Sequence, residues 1–274
     1  MQFGICNEIF KGWNFADVMR FAKQAGYDAL EIAPFTIANH VTEISSSTRG
    51  QIRDEAAHVG IAISGIHWVL AQTEGMYLNH PDPAVRGRTA RYFVDLVDFC
   101  GDLGGRIIVL GSPQQRNVMA GVSLSQAWEW AKTTLRDALQ HAGGRDVTIC
   151  LEPLAPNDTN FINTAAEAIR FAQQMESPHF KIILDVKAMC SESTPIPQII
   201  RESWPHFAYF HANDRNLKGP GFGDVDFKPI AAALREVGYD GVVSVEVFKF
   251  EEGAEAIATR SIEYLNRAFA SGFA

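Results

Sequence analysis

The amino-acid sequence predicts an α/β fold, a single (β/α)8 TIM barrel spanning residues 1–274. Eight short apolar runs alternate with longer segments of helical periodicity, and eight βα units are the number that closes such a barrel. The length agrees, because α/β barrels commonly occupy about 250 residues as one domain. No Pro/Gly/Ser-rich linker divides the chain, and no Gly-rich phosphate loop follows the first run, as a doubly wound open sheet would require.

Each predicted unit has a strand followed by a helix. The strands are predicted to start near Phe3, Ala29, Ala62, Arg106, Val147, Lys181, Phe207 and Gly241. Side chains that can accept hydrogen bonds from free helix amides mark helix starts at Asn14, Asp82, Ser123, Thr164 and Asp226, and the spacing at Ser123 and Thr164 predicts capping boxes. Gly26 and Gly238 stand in a repeated Gly-Tyr-Asp pattern, which predicts a left-handed turn at the end of a helix.

Composition limits the classes of function. Hydrophobic residues make up 47% and charged residues 20% of the chain, as in ordinary globular proteins. The net charge of −8 argues against a nucleic-acid partner, which normally requires a basic face. No apolar run reaches the roughly 18 residues of a membrane span, and no signal peptide is recognisable. The four cysteines form no Cys-x-x-Cys pair, so we expect reduced thiols in a cytoplasmic protein.

Four polar residues each end an apolar run in the second half of the chain: Glu152, Asp185, His211 and Glu246. In a barrel, the carboxyl ends of the strands surround the mouth, so these side chains should converge. A lone strand-end carboxylate can be a loop cap, and a lone histidine a satisfied core residue, but four in consecutive units favour a ligand set. Three carboxylates and one imidazole suit a divalent ion such as Mn, Mg or Co, and burying them together without a cation would be very costly.

The sequences around these residues resemble the xylose-isomerase-like TIM-barrel superfamily of sugar isomerases and epimerases. The matching segments are Leu151-Glu-Pro153, Leu184-Asp185, His211-Ala-Asn-Asp214 with residues 219–223, and Val245-Glu246. In the ketose 3-epimerase branch, the matching residues hold a Mn or Co ion. The resemblance also implies that Glu152 and Glu246 are the proton-transfer pair.

This resemblance predicts a metal-dependent sugar isomerase or epimerase. A metal on a carbonyl oxygen and the adjacent hydroxyl would acidify the intervening C–H and stabilise an enediolate. The substrate would be a small ketose, aldose or polyol ketone, and a homo-oligomer is compatible with this type of barrel. Three alternatives remain open: a lyase or dehydratase of a keto-sugar or keto-polyol, a DNA-repair endonuclease, and a sugar-binding barrel with a structural metal. The acidic net charge opposes the endonuclease.

The sequence departs from the epimerase pattern at Ala188 and Leu217, where that branch usually has a substrate-binding histidine and an arginine. These differences make the lyase alternative credible. Six other residues are candidates for substrate binding: His67, Trp68, Gln115, Arg116, Asp158 and Lys187. Asp158 takes the place of a sugar-binding glutamate in the family, and Lys187 would share the face of Asp185 if the strand continued.

The reasons for the remaining candidates are chemical. Trp68 beside His67 suits sugar stacking combined with hydrogen bonding. Gln115 and Arg116 belong to a polar segment after the fourth strand, where Arg116 could bind a carboxylate or phosphate or be solvated. Weaker candidates, interpreted as loop residues, are Glu8, Glu31 and His40.

Overall fold

The computed structural model describes residues 1–270, in which eight parallel strands form a closed barrel in chain order. The strands are β1 (Gln2–Cys6), β2 (Ala29–Ile32), β3 (Ala62–Ile66), β4 (Ile107–Leu110), β5 (Thr148–Leu151), β6 (Phe180–Asp185), β7 (Phe207–Ala212) and β8 (Val242–Val245). The barrel closes where β8 pairs with β1, with Val243 opposite Phe3. The TIM-barrel prediction is confirmed, and every predicted strand start lies at or next to the observed one. Of the predicted domain, residues 271–274 lie outside the described part.

Helices surround the barrel. They are α1 (Phe15–Ala25), α2 (Ser46–Val59), α3 (Pro83–Asp102), α4 (Leu124–Arg145), α5 (Ala165–Met175), α6 (Val186–Met189), α7 (Ile196–Ser203), α8 (Phe227–Glu236) and α9 (Ala254–Ala270). The predicted caps are observed for α1, α3, α4 and α8, and α4 has the predicted capping box. Thr164 accepts a hydrogen bond from the Glu167 amide, but the Glu167 carboxylate accepts from Asn163 instead of returning to Thr164, so that capping box is incomplete.

The left-handed turns predicted at the ends of two helices are present. Gly26 has φ 107° and Gly238 has φ 73°, positive values that are strained for a residue with a Cβ atom. Each glycine reverses the chain after its helix. The next strand can therefore begin within a few residues, which keeps the βα units short.

Two packed clusters form the core. The larger one joins the strands to the helices. A separate small cluster takes one side chain from each of β4 to β7: Val109, Cys150, Ile183 and Tyr209. Tyr209 and His211 are two positions apart on β7, so their side chains point to the same face of the strand. The small cluster that contains Tyr209 therefore forms the floor beneath His211. A packed floor restricts ligands to the carboxyl-end mouth of the barrel.

The cysteines are free thiols, as predicted. Among residues 1–270, no helix has the combination of length and apolar character that a membrane crossing requires.

Candidate active site

The four strand-end residues meet at the mouth of the barrel. Glu152 directly follows β5, Asp185 ends β6, His211 lies near the end of β7, and Glu246 directly follows β8. One donor atom from each lies within 4.8 Å of the others, and all four side chains are buried. We refer to these residues as the four-residue cluster.

Two donor atoms of the four-residue cluster lack a hydrogen-bond partner. Nδ1 of His211 lies 3.2 Å from Oε2 of Glu246 and 3.9 Å from Oε1 of Glu152. Nδ1 of His211 and Oε2 of Glu246 are nevertheless buried without hydrogen-bonding geometry to any group. Unsatisfied buried polar atoms destabilise a protein unless something binds them. A divalent cation among one imidazole and three carboxylates would satisfy both atoms, so the donor set fits such an ion.

A fourth carboxylate, outside the four-residue cluster, holds the far side of the histidine ring. Nε2 of His211 lies 3.0 Å from Oε2 of Glu31, and the Tyr209 hydroxyl donates to the same oxygen at 3.0 Å. The interpretation of Glu31 as a loop residue is wrong, because it lies within β2 and is completely buried. The sequence did contain a sign of this role, because Glu31 is a carboxylate inside the apolar segment Ala-Leu-Glu-Ile. A buried strand accommodates a carboxylate only where other groups hydrogen-bond to it or carry an opposite charge.

Asp185 is oriented by two neighbouring groups. Its Oδ1 accepts a hydrogen bond from the Ala188 amide at 2.7 Å, which caps α6, and its Oδ2 accepts from Asn213 Nδ2. The strand therefore ends at Asp185. The expectation that Lys187 shares a strand face with Asp185 is wrong, because Lys187 lies in helix α6. The function of Asn213 was missed by the sequence interpretation, although the residue belongs to the segment that carries the resemblance.

In the absence of a cation, the pKa values of the three carboxyl groups in the four-residue cluster are shifted in opposite directions. Burial and the nearby charges of Glu246 and Asp185 raise the pKa of Glu152 to about 8. Burial also opposes ionisation of Glu246, but the nearby charge of His211, together with the charge and hydrogen bond of His67, lowers its pKa well below the usual range. Burial and Glu246 raise the pKa of Asp185 to about 6. Two carboxyl groups whose pKa values are pushed apart suit one acid and one base.

A cavity opens beside the four-residue cluster, and Glu152, Asp185 and Glu246 contribute to its wall. Four of the six predicted substrate-binding residues also line it: His67, Trp68, Asp158 and Lys187. An aromatic wall and a few convergent polar groups are typical of sites for small ligands.

The polar and aromatic groups of the cavity contact one another. Lys187 Nζ lies 2.7 Å from Asp158 Oδ2 and 4.6 Å from the centre of the Phe248 ring. The Trp68 ring meets the edge of Phe248 with 6.2 Å between ring centres. Trp68 has φ 53°, a left-handed conformation that costs energy for a bulky residue and recurs at functional sites. These four side chains form one connected wall facing the cluster.

Gln115 and Arg116 are placed differently from the other candidates. Gln115 ends a 3-10 helix, Pro113–Gln115, and its carbonyl accepts from the Leu78 amide. Arg116 is completely buried, which excludes the solvated alternative, and its Nη1 donates to the Leu110 carbonyl at 3.3 Å. Its Nε and Nη2 have no hydrogen-bond partner. Neither residue is among the side chains that line the cavity, and their part in substrate binding stays a prediction.

His67 is a buried part of the cavity wall and only 1% of the residue is exposed. Its ring nitrogens face two carboxylates, Glu246 on the cluster side and Glu8 on the outer side. Glu8, which the sequence suggested was a loop residue, therefore contacts a residue of the site directly. The third weaker candidate, His40, packs its ring against Tyr92 with 5.1 Å between centres.

The two departures from the epimerase pattern have structural roles. The amide of Ala188 holds Asp185, as described above. Leu217 has φ 74°, and its carbonyl accepts from the amides of Phe248 and Lys249 at 2.9 and 3.1 Å. Its backbone thus secures the loop that carries Phe248 into the cavity wall.

Comparisons with known proteins agree with this architecture. The family model described as "Xylose isomerase-like TIM barrel" matches residues 19–268. D-psicose 3-epimerase from Ruminiclostridium cellulolyticum is 28% identical over 81% of this chain and 74% of its own length. 3-Dehydro-D-guloside 4-epimerase from Escherichia coli is 24% identical over 90% of this chain and 92% of its own length.

Among solved structures, D-psicose 3-epimerase with D-tagatose from Clostridium cellulolyticum H10 superposes with a TM-score of 0.85. That alignment covers 98% of this chain and 99% of the other, at 21% identity, and supports the same fold. The converging strand ends, the closed barrel and the family match over residues 19–268 lead to one conclusion. The chain belongs to the xylose isomerase-like TIM barrel family.

Proposed function

We propose that this protein is a divalent-metal-dependent sugar epimerase or isomerase that acts on a ketose or a related keto-sugar. The observation that carries the proposal is the four-residue cluster, with donor atoms within 4.8 Å of one another and two of them unpartnered. Relatives named as 3-epimerases of D-psicose and as a 4-epimerase of a keto-guloside support the reaction class and a sugar substrate.

The metal ligands are Glu152, Asp185, His211 and Glu246, and the ion is Mn, Co or Mg, which suit oxygen-rich sites. When bound, the ion supplies a Lewis acid that polarises the substrate carbonyl and stabilises the enediolate. Glu31 and the amide of Ala188 orient two of the ligands from behind, through His211 and Asp185. This support lets the side chains keep their geometry when a substrate enters.

Glu152 and Glu246 are the proton-transfer pair. One carboxylate removes the proton from the carbon next to the carbonyl, and the other returns a proton to the opposite face of that carbon. In the metal-free site the pKa of Glu152 is raised to about 8 and that of Glu246 is lowered, so Glu152 is the group of the pair that holds a proton more readily. Return of the proton to the neighbouring carbon would instead give aldose–ketose isomerisation.

The wall opposite the cluster binds the rest of the sugar. Trp68 and Phe248 offer ring faces to the C–H groups, while Asp158 and Lys187 offer hydrogen bonds to hydroxyls. His67, Gln115 and Arg116 complete the proposed substrate-binding set. Free thiols at all four cysteines are consistent with a cytoplasmic location, which belongs to the same proposal.

The test uses protein stripped of metal and reloaded with Mn, Co or Mg, incubated with a panel of free ketoses and keto-glycosides in deuterated water. We expect a product of unchanged composition that carries one solvent deuterium at the epimerised carbon, and loss of turnover in the Glu246→Gln variant. A product lighter by one water would identify a lyase. Turnover by Glu246→Gln at the native rate, with no metal bound by the wild type, would refute the proposal.

A further inference from the structure

Three side chains form a buried chain that leads outward from the four-residue cluster. Oε1 of Glu246 lies 3.3 Å from Nδ1 of His67, and Nε2 of His67 lies 2.9 Å from Oε2 of Glu8. His67 is 1% exposed at its side chain, Glu246 5% and Glu8 9%. We propose that Glu8 is a positioning residue, which sets the orientation of the Glu246 carboxylate through His67. This inference rests on the proposed function, in which Glu246 transfers a proton.

The histidine ring is held at both ends. Two carboxylate oxygens can only accept hydrogen bonds, so a ring that satisfies both must donate from both nitrogens. A rotation that releases Glu246 would also break the contact with Glu8. The other contact of Nδ1, Cys6 Sγ at 3.8 Å, is long and weak and cannot replace a carboxylate.

As a consequence, each of the two carboxylate oxygens of Glu246 faces a different histidine. Oε1 is held by His67, while Oε2 faces Nδ1 of His211 within the four-residue cluster. The plane of the carboxylate is therefore determined from two sides. Proton transfer depends steeply on such placement, since a displacement of about 1 Å can cost on the order of a hundredfold in rate.

Glu8 has no competing charge partner in the described part of the chain. It lies in the 3-10 helix Asn7–Ile9, directly after β1, and no lysine or arginine of residues 1–270 forms an ion pair with it. It also lines a cleft with Lys11 and Trp13, to which no residue of the four-residue cluster contributes. A carboxylate held at 2.9 Å by His67 alone is thus an anchor for that ring.

The experiment is a double-mutant cycle on the Mn-loaded enzyme, because residues that act through one another give non-additive effects. We expect Glu8→Ala to lower kcat about tenfold with little change in KM and with full metal stoichiometry. Glu8→Gln, which keeps an acceptor oxygen, should recover part of this loss. In a His67→Phe background, Glu8→Ala should cause no further loss. Lys11→Ala, in the same cleft, is the matched control and should behave as wild type.

A second measurement does not depend on turnover. In metal-free protein labelled with ¹⁵N-histidine, we expect the spectrum of His67 to show protons on both ring nitrogens, and Glu8→Ala to remove the signature of the Nε2 proton. Additive kinetic losses in the cycle, or an unchanged His67 spectrum in Glu8→Ala, would overturn the positioning role. Absence of epimerase activity in the wild type would instead count against the proposed function, while the spectrum would still decide the role of Glu8.

Discussion

Nε2 of His211 lies 3.0 Å from Oε2 and 3.1 Å from Oε1 of Glu31, and both side chains are completely buried. An ionised carboxylate only accepts hydrogen bonds, so Glu31 beside Nε2 requires that this nitrogen of His211 carry a proton. Burial opposes ionisation of Glu31, but the charges of His211 and His67 lower its pKa to about 2. Glu31 is therefore a permanent acceptor, and it directs Nδ1 of His211 towards the three carboxylates of the four-residue cluster.

Glu31→Gln should weaken metal binding by about 10- to 100-fold, the usual cost of losing a partner that orients a metal-binding histidine. The amide keeps the volume of the side chain but lacks the charge that orients the ring. Titration calorimetry with Mn measures the affinity. Glu192→Gln is the control, because Glu192 is partly buried and accepts from the Ala165 amide, and it is not a member of the four-residue cluster. Equal affinities in Glu31→Gln and the wild type would contradict the orienting role.

Gly111→Ala should displace Glu152. A Cβ at Gly111 would overlap the Oε2 atom of Glu152, so the carboxylate must move away from the other donors. We expect a loss of metal affinity of at least about tenfold with the barrel still folded, measured by metal titration and circular dichroism. Gly144→Ala is the matched control, since nothing apart from its chain neighbours and the backbone of its own helix lies within 4 Å of its added Cβ. That control should bind metal normally and gain up to about 1 kcal/mol of stability from helix propensity. Normal metal binding by Gly111→Ala would mean that the close approach is unimportant.

Metal affinity should rise with pH. In the metal-free protein, burial and neighbouring carboxylates raise the pKa of Glu152 to about 8 and that of Asp185 to about 6. A metal requires the ionised forms, so protons compete with it and are released when it binds. The affinity should therefore be lowest below about pH 6 and increase until about pH 8. Calorimetry in buffers of different ionisation enthalpy counts the released protons, and a pH-independent affinity would rule out protonated carboxyls in the empty site.

Lys187→Met should raise KM for the sugar by about tenfold and leave metal affinity unchanged. Methionine keeps most of the side-chain length along Phe248 but removes the charge and the hydrogen bond to Asp158. The variant also loses the proposed hydrogen bond from the Lys187 ammonium group to a sugar hydroxyl. A hydrogen bond that involves a charged group contributes about 1.5–3 kcal/mol, which corresponds to roughly tenfold or more in binding. Steady-state kinetics on the Mn-loaded enzyme separates KM from kcat. Lys228→Met, at an exposed position of α8, is the control. A change in kcat alone would contradict a substrate-binding role.

Much of the fold was predictable because its determinants are local. Apolar runs and side chains such as Asn14 and Asp82 marked the strands and helix starts to within a residue. The four-residue cluster was predictable for the same reason, since the position of a polar residue at the end of a buried strand is visible in the sequence. Lys187 shows the limit of this reasoning: the strand ends at Asp185, two residues before Lys187, because Asp185 caps α6.

The sequence by itself determined the barrel, the converging strand ends and the chemistry of the donor set, since these depend on residue type and on short-range periodicity. Only the tertiary structure decided which groups support those donors. Glu31 and His211 are 180 positions apart, and His67 and Glu246 are 179 apart. Closing the barrel brings these side chains together in its interior. There each buried charge needs a partner, and no pattern along the chain says which residue supplies it.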